Sequence, residues 1–451
     1  MSTAFEAYFH SLKDKKIAVL GLGVSNRPLV RLLLEYGCHV TGCDRTPREQ
    51  LDAEVLELEQ LGCHLRVGEN YLEDVSADVV FRTPGMHPAN PAICALRSHG
   101  AEVTSEMEVF FEVCPCRIIA VTGSDGKTTT TTLISEFLKA EGKTVWLGGY
   151  IGTPLLPLCR QMKAEDLAVV ELSSFQLMDM RRSAHVAVVT NLAPNHLDVH
   201  KDMEEYTEAK KNIFRFQDAA HRLILNADNG ITAAFRGNGT TEFFSRQGKP
   251  ARVRAENGSI YRDGQEVLKA EEILLPGVHN VENYMAAILA VDGLVSDETI
   301  RHVARTFGGV EHRIELVRIK DGVRFYNDSI ASSPIRTIAG LRSFPEKVIH
   351  IAGGYDKNIP YDELGPELCR HVKLLVLGGA TGPKIRQAVE NCGGDQPRIL
   401  DCTDFTAAVS AAAAAAQPGD VVLMSPASAA FDQFKNFMVR GQYFKKIVME
   451  L

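Results

Sequence analysis

A loop at residues 122–129 constrains this chain more than any other part of its sequence. It has the sequence Thr-Gly-Ser-Asp-Gly-Lys-Thr-Thr, follows an apolar run at 118–121 and precedes a stretch with helical character at 133–138. Two glycines let the backbone amides turn inward, the following helix presents its N-terminus to an anion, and a lysine adds a positive charge. We therefore predict a strand, a phosphate-binding loop and a helix that together bind a nucleoside triphosphate.

The loop residues that we predict to contact the triphosphate are Gly123, Ser124, Asp125, Gly126, Lys127, Thr128 and Thr129. Among them, Lys127 can reach the terminal phosphates, and the hydroxyl of Thr128 is suited to bind a magnesium ion. The general motif GxxxxGK[ST] requires a glycine where this chain has Val121, so the loop matches a shorter variant, TGxxGKT. The alternative is a glycine-rich turn with an exposed lysine, and the apolar run before the loop and the helical stretch after it argue against that.

The composition indicates a globular protein of about three domains, since a domain takes roughly 150 residues and the chain has 451. Hydrophobic residues make up 45% of the chain and charged residues 24%, which leaves enough apolar material for buried sheets. The formal net charge of -8 argues against a surface that binds nucleic acid. Small anionic ligands must therefore meet local positive sites.

Ten cysteines are scattered along the chain, and the closest pair, Cys114 and Cys116, flanks a single proline. This spacing forms neither a CxxC half of a zinc site nor the disulfide framework of a secreted protein. No stretch approaches the roughly 18 apolar residues of a membrane span. We therefore predict reduced cysteines and a cytoplasmic protein that is neither exported nor inserted in a membrane.

The first part of the chain has the pattern of half a Rossmann fold. An apolar run leads into Gly-Leu-Gly at 21–23, a helical stretch follows, and a second apolar run ends at Asp44. The third glycine of a dinucleotide fingerprint is replaced by Asn26, so this turn could hold the phosphates or ribose of any nucleotide. A further apolar run ends in a second turn where a ligand could bind, which consists of Thr83, Pro84 and Gly85.

Short runs of branched apolar residues recur between helical stretches in the rest of the chain, as a buried and mostly parallel sheet requires. These runs lie at 167–171, 186–191 and 223–226 in a central module, and at 348–351, 374–377 and 421–424 in a third module. Alternating polar residues predict antiparallel hairpins at 232–272. The predicted modules are 1–104, 105–309 and 310–451, and the ligand crevice of a parallel sheet lies where its strands end.

Residues beyond the phosphate loop are candidates for metal chemistry. Glu171 ends a predicted strand, where a carboxylate can hold magnesium or, alternatively, cap the next helix. The segment 195–200 contains two histidines and an aspartate, which by composition could form a zinc site or a solvated turn. Lys210 and Lys211, taken alone, indicate surface charges on a helix.

Eight short motifs occur along the chain in an order that resembles the Mur ligase family. They are TGSDGKTTT at 122–130, ELSSFQL at 171–177, NHLDVH at 195–200, YTEAK at 206–210, HN at 279–280, HR at 312–313, NDS at 327–329, and SPAS followed by DQFKNF at 425–437. The resemblance extends over the whole chain. It implies an α/β fold of three domains, with a Rossmann-like N-terminal domain, a central P-loop ATPase domain with a mostly parallel sheet, and a C-terminal Rossmann-like α/β domain.

The activity that the resemblance implies is ATP-dependent formation of an amide bond through an acyl phosphate. ELSSFQL and DQFKNF look most like the branch of the family that adds D-glutamate. The implied substrates are therefore ATP, UDP-N-acetylmuramoyl-L-alanine and D-glutamate, and the implied place is peptidoglycan precursor synthesis in the cytoplasm. The protein would act as a monomer, without nucleic-acid or membrane partners.

Two alternatives remain open at this point. One is a Mur-like ligase with another acceptor, similar to folylpolyglutamate synthase or to the lipid-linked isoglutaminyl synthase subunit. The latter usually carries a four-cysteine zinc insertion, which the scattered cysteines do not match. The other is a non-catalytic nucleotide-binding protein that kept the fold, and the intact motif residues argue against it.

By the same resemblance, the catalytic residues are Lys127, His196, Lys210 and Arg313. Thr128 and Glu171 would hold the first of two magnesium ions, and His196 and Lys210 the second. Lys210 would carry a carbamate derived from carbon dioxide. Carbamate formation needs a neutral amine, so Lys210 should be partly desolvated with a lowered pKa, whereas Lys211 should stay solvated.

The resemblance also implies residues for each substrate. ATP would further contact Asn280, Arg313 and Asp328. The uridine substrate would contact Asp44, Arg45, Thr83, Pro84, Gly85, Tyr150, Ser173 and His196. D-glutamate would contact Lys357, Ser428 and Phe437. Three positions depart from the common family pattern and each weakens one implied contact, namely Tyr150 in place of asparagine, Ile330 in place of lysine and Ala430 in place of serine.

Overall fold

Three sheets carry the fold, and most of their strands are parallel and joined by helices, which places the chain in the α/β class that its sequence predicted. The computed structural model describes residues 3–150, 153–196, 199–430 and 432–451. The chain forms two compact units, made of Met1–Lys269 with Glu282–Val303 and of Ala270–Val281 with Ala304–Leu451. In the described part of the chain, no helix is long and apolar enough to cross a membrane.

The first sheet belongs to the first unit. Its strands are β1 Lys16–Leu20, β2 His39–Asp44, β3 His64–Val67, β4 Val79–Arg82 and β5 Glu102–Thr104. Its helices are α1 Ala4–Ser11, α2 Asn26–Glu35, α3 Ala53–Gln60, α4 Pro91–Ser98 and α5 Glu106–Val113. The strands are parallel in the order β3-β2-β1-β4-β5. Ile17 and Val19 pack in one core and Ala18 and Leu20 in another, as a strand covered on both faces requires.

The second sheet lies in the same unit. Its strands are β6 Arg117–Thr122, β7 Val145–Gly149, β8 Leu167–Glu171, β9 Val186–Val189, β10 Arg222–Asn226, β11 Thr240–Ser245, β12 Val253–Glu256, β13 Ser259–Arg262 and β14 Gln265–Lys269. The helices are α6 Lys127–Ala140, α7 Ser174–Leu177 and α8 Met203–Arg215, followed along the chain by α9 His279–Ala290 and α10 Asp297–Thr306. The order is β14-β13-β12-β11-β10-β9-β6-β8-β7. Strand β6 therefore lies between β8 and β9, and the carboxyl ends of these parallel strands share one edge.

The prediction of antiparallel hairpins at 232–272 is only partly correct. Strands β12, β13 and β14 pair antiparallel, but β11 pairs parallel with both β10 and β12. The reason lies in the connections. The turns at 257–258 and 263–264 are Asn-Gly and Asp-Gly with positive φ at both residues, which reverses the chain at once. The connection before β11 is longer and contains a 3-10 turn, Thr232–Ala234, so the chain crosses over and keeps its direction.

The third sheet belongs to the second unit. Its strands are β15 Glu315–Lys320, β16 Val323–Asn327, β17 Val348–Gly353, β18 Val372–Gly378, β19 Arg398–Asp401 and β20 Val421–Met424. Its helices are α11 Pro334–Leu341, α12 Leu364–His371, α13 Gly382–Glu390, α14 Phe405–Ala415 and α15 Phe437–Glu450. The order is β15-β16-β20-β17-β18-β19, parallel except for β15. Strands β16 and β20 are neighbours, so the loops after them leave the sheet at the same edge.

Candidate active site

The phosphate loop connects the end of β6 to the start of α6, as the sequence predicted. Gly123 and Gly126 have φ of 151° and 77°, in the region that favours glycine. A Cβ at Gly123 would overlap the hydroxyl of Thr190, and a Cβ at Gly126 would overlap the side-chain oxygen of Asn283. The loop therefore needs glycine at both positions, for its conformation and for space.

The segment after β9 holds the loop in place. The amide of Ser124 donates to the carbonyl of Asn191 over 2.9 Å, and the amide of Asp125 donates to the side-chain oxygen of Asn191 over 3.0 Å. The hydroxyl of Thr190 donates to the carbonyl of Asp125 over 2.6 Å, and that of Ser124 donates to the carbonyl of Ala193 over 2.9 Å. Because β9 lies beside β6, the two strand ends bring these residues together.

The last part of the loop begins helix α6. The ammonium of Lys127 donates to the carbonyl of Ser124 over 2.9 Å, and Thr128 is buried in the first helical turn. The first amides of a helix have no partner within the helix, and the helix dipole places partial positive charge there. The loop, its lysine and this helix start therefore form a site for an anionic phosphate group.

Glu171 ends β8 and is buried. Helix α7 is capped by another residue, Ser173, whose hydroxyl accepts from the amide of Gln176 over 3.2 Å. The side chain of Gln176 in turn accepts from the amide of Ser173 over 3.0 Å, which completes a capping box. The alternative that Glu171 caps this helix is therefore wrong. Glu171 instead pairs with Val121, which directly precedes the phosphate loop. Its carboxylate also lies close enough to Lys210 to act on the charge of that lysine.

Lys210 lies on α8 and is 2% exposed. Its Nζ donates to the carbonyl of Gly123 over 2.9 Å and to the hydroxyl of Thr122 over 3.1 Å, and it lies 4.9 Å from the ring centre of Tyr206. Burial lowers the pKa of the Lys210 ammonium well below its usual value, and the positive charge of Lys127 lowers it further. The amine is desolvated, as the resemblance implies, and the interpretation of Lys210 as a surface charge is wrong.

The neighbouring lysine has a different environment. The side chain of Lys211 is 31% exposed and pairs with Glu208 over 2.6 Å, one turn earlier on α8. The helix thus directs one lysine towards the phosphate loop and the next towards solvent. Lys211 is therefore a natural control for any experiment on Lys210.

His196 and His200 both contact the ring of Phe175. The ring centre of His196 lies 5.0 Å from that of Phe175, and His200 stacks on the same ring at 5.5 Å. His200 is buried with Nε2 2.9 Å from the hydroxyl of Ser174, and burial lowers its pKa. Asp198, the aspartate of this motif, lies outside the described residues. Among the residues that are described, no three His, Cys, Asp or Glu side chains are grouped to hold a metal. Because Asp198 is not among them, the zinc alternative stays a prediction.

The two turns predicted to bind a nucleotide lie next to each other in the first sheet. Gly21 has φ of 84°, and a Cβ there would lie 2.8 Å from the side chain of Thr83. The carboxylate of Asp44 accepts from the amides of Leu22 over 2.8 Å and Thr46 over 2.9 Å. Burial raises the pKa of Asp44, but these hydrogen bonds outweigh burial and lower it overall. Asp44 therefore shapes the first glycine turn as an ionised carboxylate.

The other residues predicted to contact the uridine substrate differ in their surroundings. Arg45 and Gly85 are exposed, and Pro84 is half-buried. Tyr150 is 64% exposed, and its amide donates to the carbonyl of the last residue of β8 over 2.8 Å. The hydroxyl of Ser173 is engaged in the cap of α7.

Several residues that shape this site were missed by sequence reasoning. Arg82 is buried at the end of β4, and its guanidinium donates to the carbonyl of Met86 over 2.6 Å across the second turn. Thr190 and Asn191 hold the phosphate loop, and their position at the end of a predicted strand could have identified them. Asn283 lies within a helix, where no sequence pattern distinguishes a residue that borders Gly126 from any other.

Of the three residues of the second unit that are predicted to contact ATP, two are buried and one is exposed. Asp328 follows β16, and its carboxylate accepts from the hydroxyl of Ser425 over 2.6 Å and from the amide of Ile314 over 3.3 Å. Burial raises the pKa of Asp328 to about 7. Asn280 is buried and donates to a main-chain carbonyl four residues earlier over 2.7 Å. Arg313 is exposed.

The residues predicted to contact D-glutamate also lie in the second unit. Lys357 is exposed, and Phe437 is the half-buried first residue of α15. Ser428 is buried, and its hydroxyl lies 2.8 Å from the hydroxyls of both Tyr361 and Thr381. Its hydroxyl is therefore engaged within the protein, whereas the ammonium of Lys357 is accessible to a ligand.

Within the first unit, the fold brings the phosphate loop, Lys127, Glu171 and Lys210 to the carboxyl ends of β6 and β8. Positive groups and helix-terminal amides stabilise negative charge that develops on a phosphoryl group. Carboxylate and hydroxyl oxygens are the ligands that magnesium prefers. The arrangement is suited to phosphoryl-transfer chemistry on a bound nucleotide.

Sequence profiles of two Mur ligase domains match the chain. The Mur ligase middle domain matches residues 121–291, and the Mur ligase, glutamate ligase domain matches residues 312–428. Together these matches cover more than half of the sequence. The chain therefore belongs to the Mur ligase family, whose members are ATP-dependent ligases that form amide bonds.

Curated relatives with the name UDP-N-acetylmuramoylalanine--D-glutamate ligase match the chain over its whole length. The relative from Acetivibrio thermocellus is 52% identical over 461 residues, which cover 99% of both chains. Those from Ruminiclostridium cellulolyticum and Clostridium botulinum are 46% and 45% identical and are matched over 100% of both chains.

Solved structures of other Mur ligases share the fold. The UDP-N-acetylmuramate-alanine ligase of Thermotoga maritima superposes with a TM-score of 0.58 at 18% identity, over 97% of this chain and 99% of that one. A UDP-N-acetylmuramoyl-L-alanyl-D-glutamate--2,6-diaminopimelate ligase has a TM-score of 0.57 at 18% identity, over 96% and 92%. These similarities confirm a mixed α/β fold with mainly parallel sheets.

Proposed function

We propose that this protein is an ATP-dependent ligase that joins D-glutamate to UDP-N-acetylmuramoyl-L-alanine in peptidoglycan precursor synthesis. The observation that carries the choice of substrates is the 52% identity, over 99% of both chains, to a ligase named for D-glutamate. The geometry supports the chemistry, because Lys127, Glu171 and the buried Lys210 lie at one phosphate loop.

The proposed reaction has two steps. The carboxylate of UDP-N-acetylmuramoyl-L-alanine attacks the γ-phosphorus of ATP, which forms an acyl phosphate and releases ADP. The amine of D-glutamate then attacks the acyl carbon, and inorganic phosphate leaves. The nitrogen loses a proton as the amide forms, so one ATP is consumed for each bond.

The first step brings two anions together. Two unit charges 4 Å apart repel by about 4 kcal/mol at an effective dielectric constant near 20, so positive groups must compensate. Lys127 supplies one charge, and the first amides of α6 supply partial charges. Because the amides of Ser124 and Asp125 bond within the protein, we assign phosphate binding to the amides from Gly126 to Thr129.

Magnesium fits the donor groups at this loop. Thr128 offers a hydroxyl and Glu171 a carboxylate that is 1% exposed, and both are hard oxygen donors. We propose that these two residues hold a first ion and that His196 and Lys210 hold a second. Bound there, magnesium supplies positive charge next to the phosphates.

Lys210 can bind a cation only if its own charge is changed. A neutral amine adds to carbon dioxide and loses one proton, which forms a carbamate with anionic oxygens. Burial and the charge of Lys127 lower the pKa of Lys210 and so increase the neutral fraction. The carbamate nitrogen keeps one N–H, which suffices for the bond to the carbonyl of Gly123. We propose that this carbamate forms on Lys210.

The remaining site residues stay predictions. For the uridine substrate they are Asp44, Arg45, Thr83, Pro84, Gly85, Tyr150, Ser173 and His196. For ATP they are Asn280, Arg313 and Asp328, and for D-glutamate Lys357, Ser428 and Phe437. The accessible ammonium of Lys357 suits a carboxylate of the amino acid, and the adjoining glycine turns of the first sheet suit a nucleotide.

We further propose that the chain has three functional modules at 1–104, 105–309 and 310–451, of which the first and third are Rossmann-like. The parallel five-stranded sheet ends at Thr104, and the six-stranded sheet begins at Glu315, which supports these boundaries. We also propose that the enzyme is a cytoplasmic monomer.

The test is release of phosphate from ATP and UDP-N-acetylmuramoyl-L-alanine in the presence of D-glutamate, L-glutamate or no amino acid. We expect release that needs D-glutamate, together with a product whose mass equals that of the substrate plus one glutamate residue. Release with a different acceptor would contradict the choice of substrate. Binding of ATP without release under any condition would instead support a non-catalytic protein.

A further inference from the structure

Arg440 is a buried arginine on α15, and 2% of it is exposed. Its guanidinium donates three hydrogen bonds to main-chain carbonyls, namely those of Ser428 over 2.9 Å, Ala429 over 3.1 Å and Ser329 over 3.1 Å. These carbonyls belong to two loops, the one after β20 and the one after β16. Because β16 and β20 are adjacent parallel strands, one side chain ties together two loops at the same edge of the sheet.

The burial of this charge requires an explanation. The three bonds go to neutral carbonyls, and the acidic residue that acts on it, Asp432, is exposed. Burial lowers the pKa of Arg440 to about 10, so the guanidinium stays protonated near neutral pH. Burying a charge is costly, and an apolar side chain would fill the same space at lower cost. An apolar residue, however, cannot donate hydrogen bonds, whereas the planar guanidinium holds several carbonyls in a fixed geometry.

The backbone around Arg440 is fitted to the same loops. A Cβ at Gly441 would overlap the side chains of His312 and Ser329, so α15 lies directly against the loop after β16. A Cβ at Gly354 would lie 3.2 Å from Nη1 of Arg440. The guanidinium therefore has little room to move, and the positions of the carbonyls depend on it.

We propose that Arg440 is a positioning residue that fixes these two loops and thereby sets the affinity for D-glutamate without touching it. The loop after β20 carries Ser428, and the loop after β16 carries Asp328. The phosphate loop lies in the first unit and Ser428 is predicted to contact D-glutamate, so the effect of Arg440 falls mainly on capture of the amino acid and, through Asp328, to a smaller extent on ATP. The identity of that amino acid rests on the proposed function, whereas the role of Arg440 in holding the loops does not.

Steady-state kinetics of Arg440→Ala and Arg440→Lys test this proposal. We expect KM for D-glutamate to rise about tenfold or more in both variants, while KM for ATP rises less than that and kcat changes by less than about threefold. Lysine keeps the charge but cannot make the three bonds of the fork. Lys446→Ala, which removes an exposed charge from the same helix, is the control and should leave all constants unchanged. An unchanged KM for D-glutamate in either variant would overturn the proposal.

Chemical rescue separates positioning from a general loss of structure. Methylguanidinium added to Arg440→Ala should lower KM for D-glutamate towards the wild-type value, because it restores planar donors in the vacated space. Ethylammonium carries the same charge without the fork and should not. Equal rescue by both cations, or by neither, would contradict the assigned geometry.

Amide hydrogen exchange tests the role of Arg440 without any substrate. In Arg440→Lys, peptides that cover 327–332 and 425–430 should exchange faster than in the wild type, and peptides of the phosphate loop should not change. If the wild-type protein releases no phosphate with D-glutamate, the proposed function fails, yet this measurement still decides whether Arg440 holds the loops. Unchanged exchange at both segments would overturn that role.

Discussion

The Nζ atom of Lys210 lies 2.9 Å from the carbonyl oxygen of Gly123, so a buried lysine of α8 is hydrogen-bonded to a glycine of the phosphate loop 87 positions earlier in the chain. The bond joins the loop that is predicted to hold ATP to the side chain that is predicted to carry a carbamate. The two predicted functions of the site therefore lie within one hydrogen bond of each other, and substitutions are needed to separate them.

Replacing Lys210 by alanine should abolish ligation and leave nucleotide binding nearly intact. We expect kcat to fall at least about 100-fold, because the proposed ligand of a second magnesium ion is lost. The affinity for ATP, measured by calorimetry, should change by less than about threefold, since Lys127 and the helix amides remain. Lys211→Ala is the matched control, because its side chain lies on the same helix, is 31% exposed and pairs with Glu208 away from the phosphate loop. Unimpaired turnover of Lys210→Ala would contradict the assigned role.

Carbon dioxide should label Lys210 and not its neighbour. In carbon-13 NMR with labelled bicarbonate, we expect one protected carbamate signal that is absent from Lys210→Ala and present in Lys211→Ala. Only the neutral amine reacts, so the signal should weaken as the pH falls towards and below the lowered pKa of Lys210. A signal that persists in Lys210→Ala would assign the carbamate elsewhere.

Gly126→Ala, before the first residue of α6, should weaken ATP binding more than Gly142→Ala, an equally strained substitution beyond the other end of the same helix. Gly126 and Gly142 have φ of 77° and 81°, but only a Cβ at Gly126 would meet another residue, Asn283. We therefore expect a loss of ATP affinity of about tenfold or more for Gly126→Ala and little change for Gly142→Ala. In the background of Asn283→Ala, the Gly126→Ala substitution should cost less. Equal losses of ATP affinity for the two substitutions would show that backbone strain, and not the contact with Asn283, causes the effect.

Glu106 should make the folded protein less stable as the pH rises. It is buried on α5 and accepts from the amide of Leu156 over 3.2 Å, and burial raises its pKa from 4.5 to about 7. Below pH 4.5 the carboxyl is neutral in both the folded and the unfolded chain. As the pH rises from there to about 7, the unfolded chain ionises first, so the stabilisation declines by up to about 3 kcal/mol.

Denaturant unfolding at pH 5 and pH 8 measures this effect. In Glu106→Gln the side chain can still accept the bond from Leu156 but cannot ionise, so the variant should gain stability relative to the wild type at the higher pH. Glu112→Gln, a half-exposed position on the same helix, should show no such gain. The same pH dependence in the wild type and in Glu106→Gln would exclude Glu106 as the source.

The local elements could be predicted because their signals lie within a few residues. The phosphate loop, the strand that ends at Glu171 and the reversal at Asn257 follow from patterns of glycine, branched apolar residues and turn residues. The direction of β11 could not be predicted in this way, since it depends on which strand is available to pair with it. An apolar run in the sequence does not specify which other strand will pair with it.

The environments of single side chains were decided by tertiary structure alone. Apart from the family motif YTEAK at 206–210, nothing in the local sequence distinguishes Lys210 from Lys211, yet one is buried at the loop and the other pairs at the surface. Arg82 and Arg440 likewise have the sequence context of surface arginines, and both are buried with their guanidinium groups on loop carbonyls.

The sequence by itself determined the strand, loop and helix of the phosphate site and, through eight ordered motifs, the resemblance to the Mur ligases. These features depend on residue types at short spacing, because glycine conformation, helix starts and apolar alternation act locally. The tertiary structure decided that the amine of Lys210 is desolvated and that Glu171 is buried without capping a helix. It also decided which arginines donate hydrogen bonds to loop carbonyls. Those properties depend on burial and on the charges of residues distant in the chain, and they exist only once the sheets have formed.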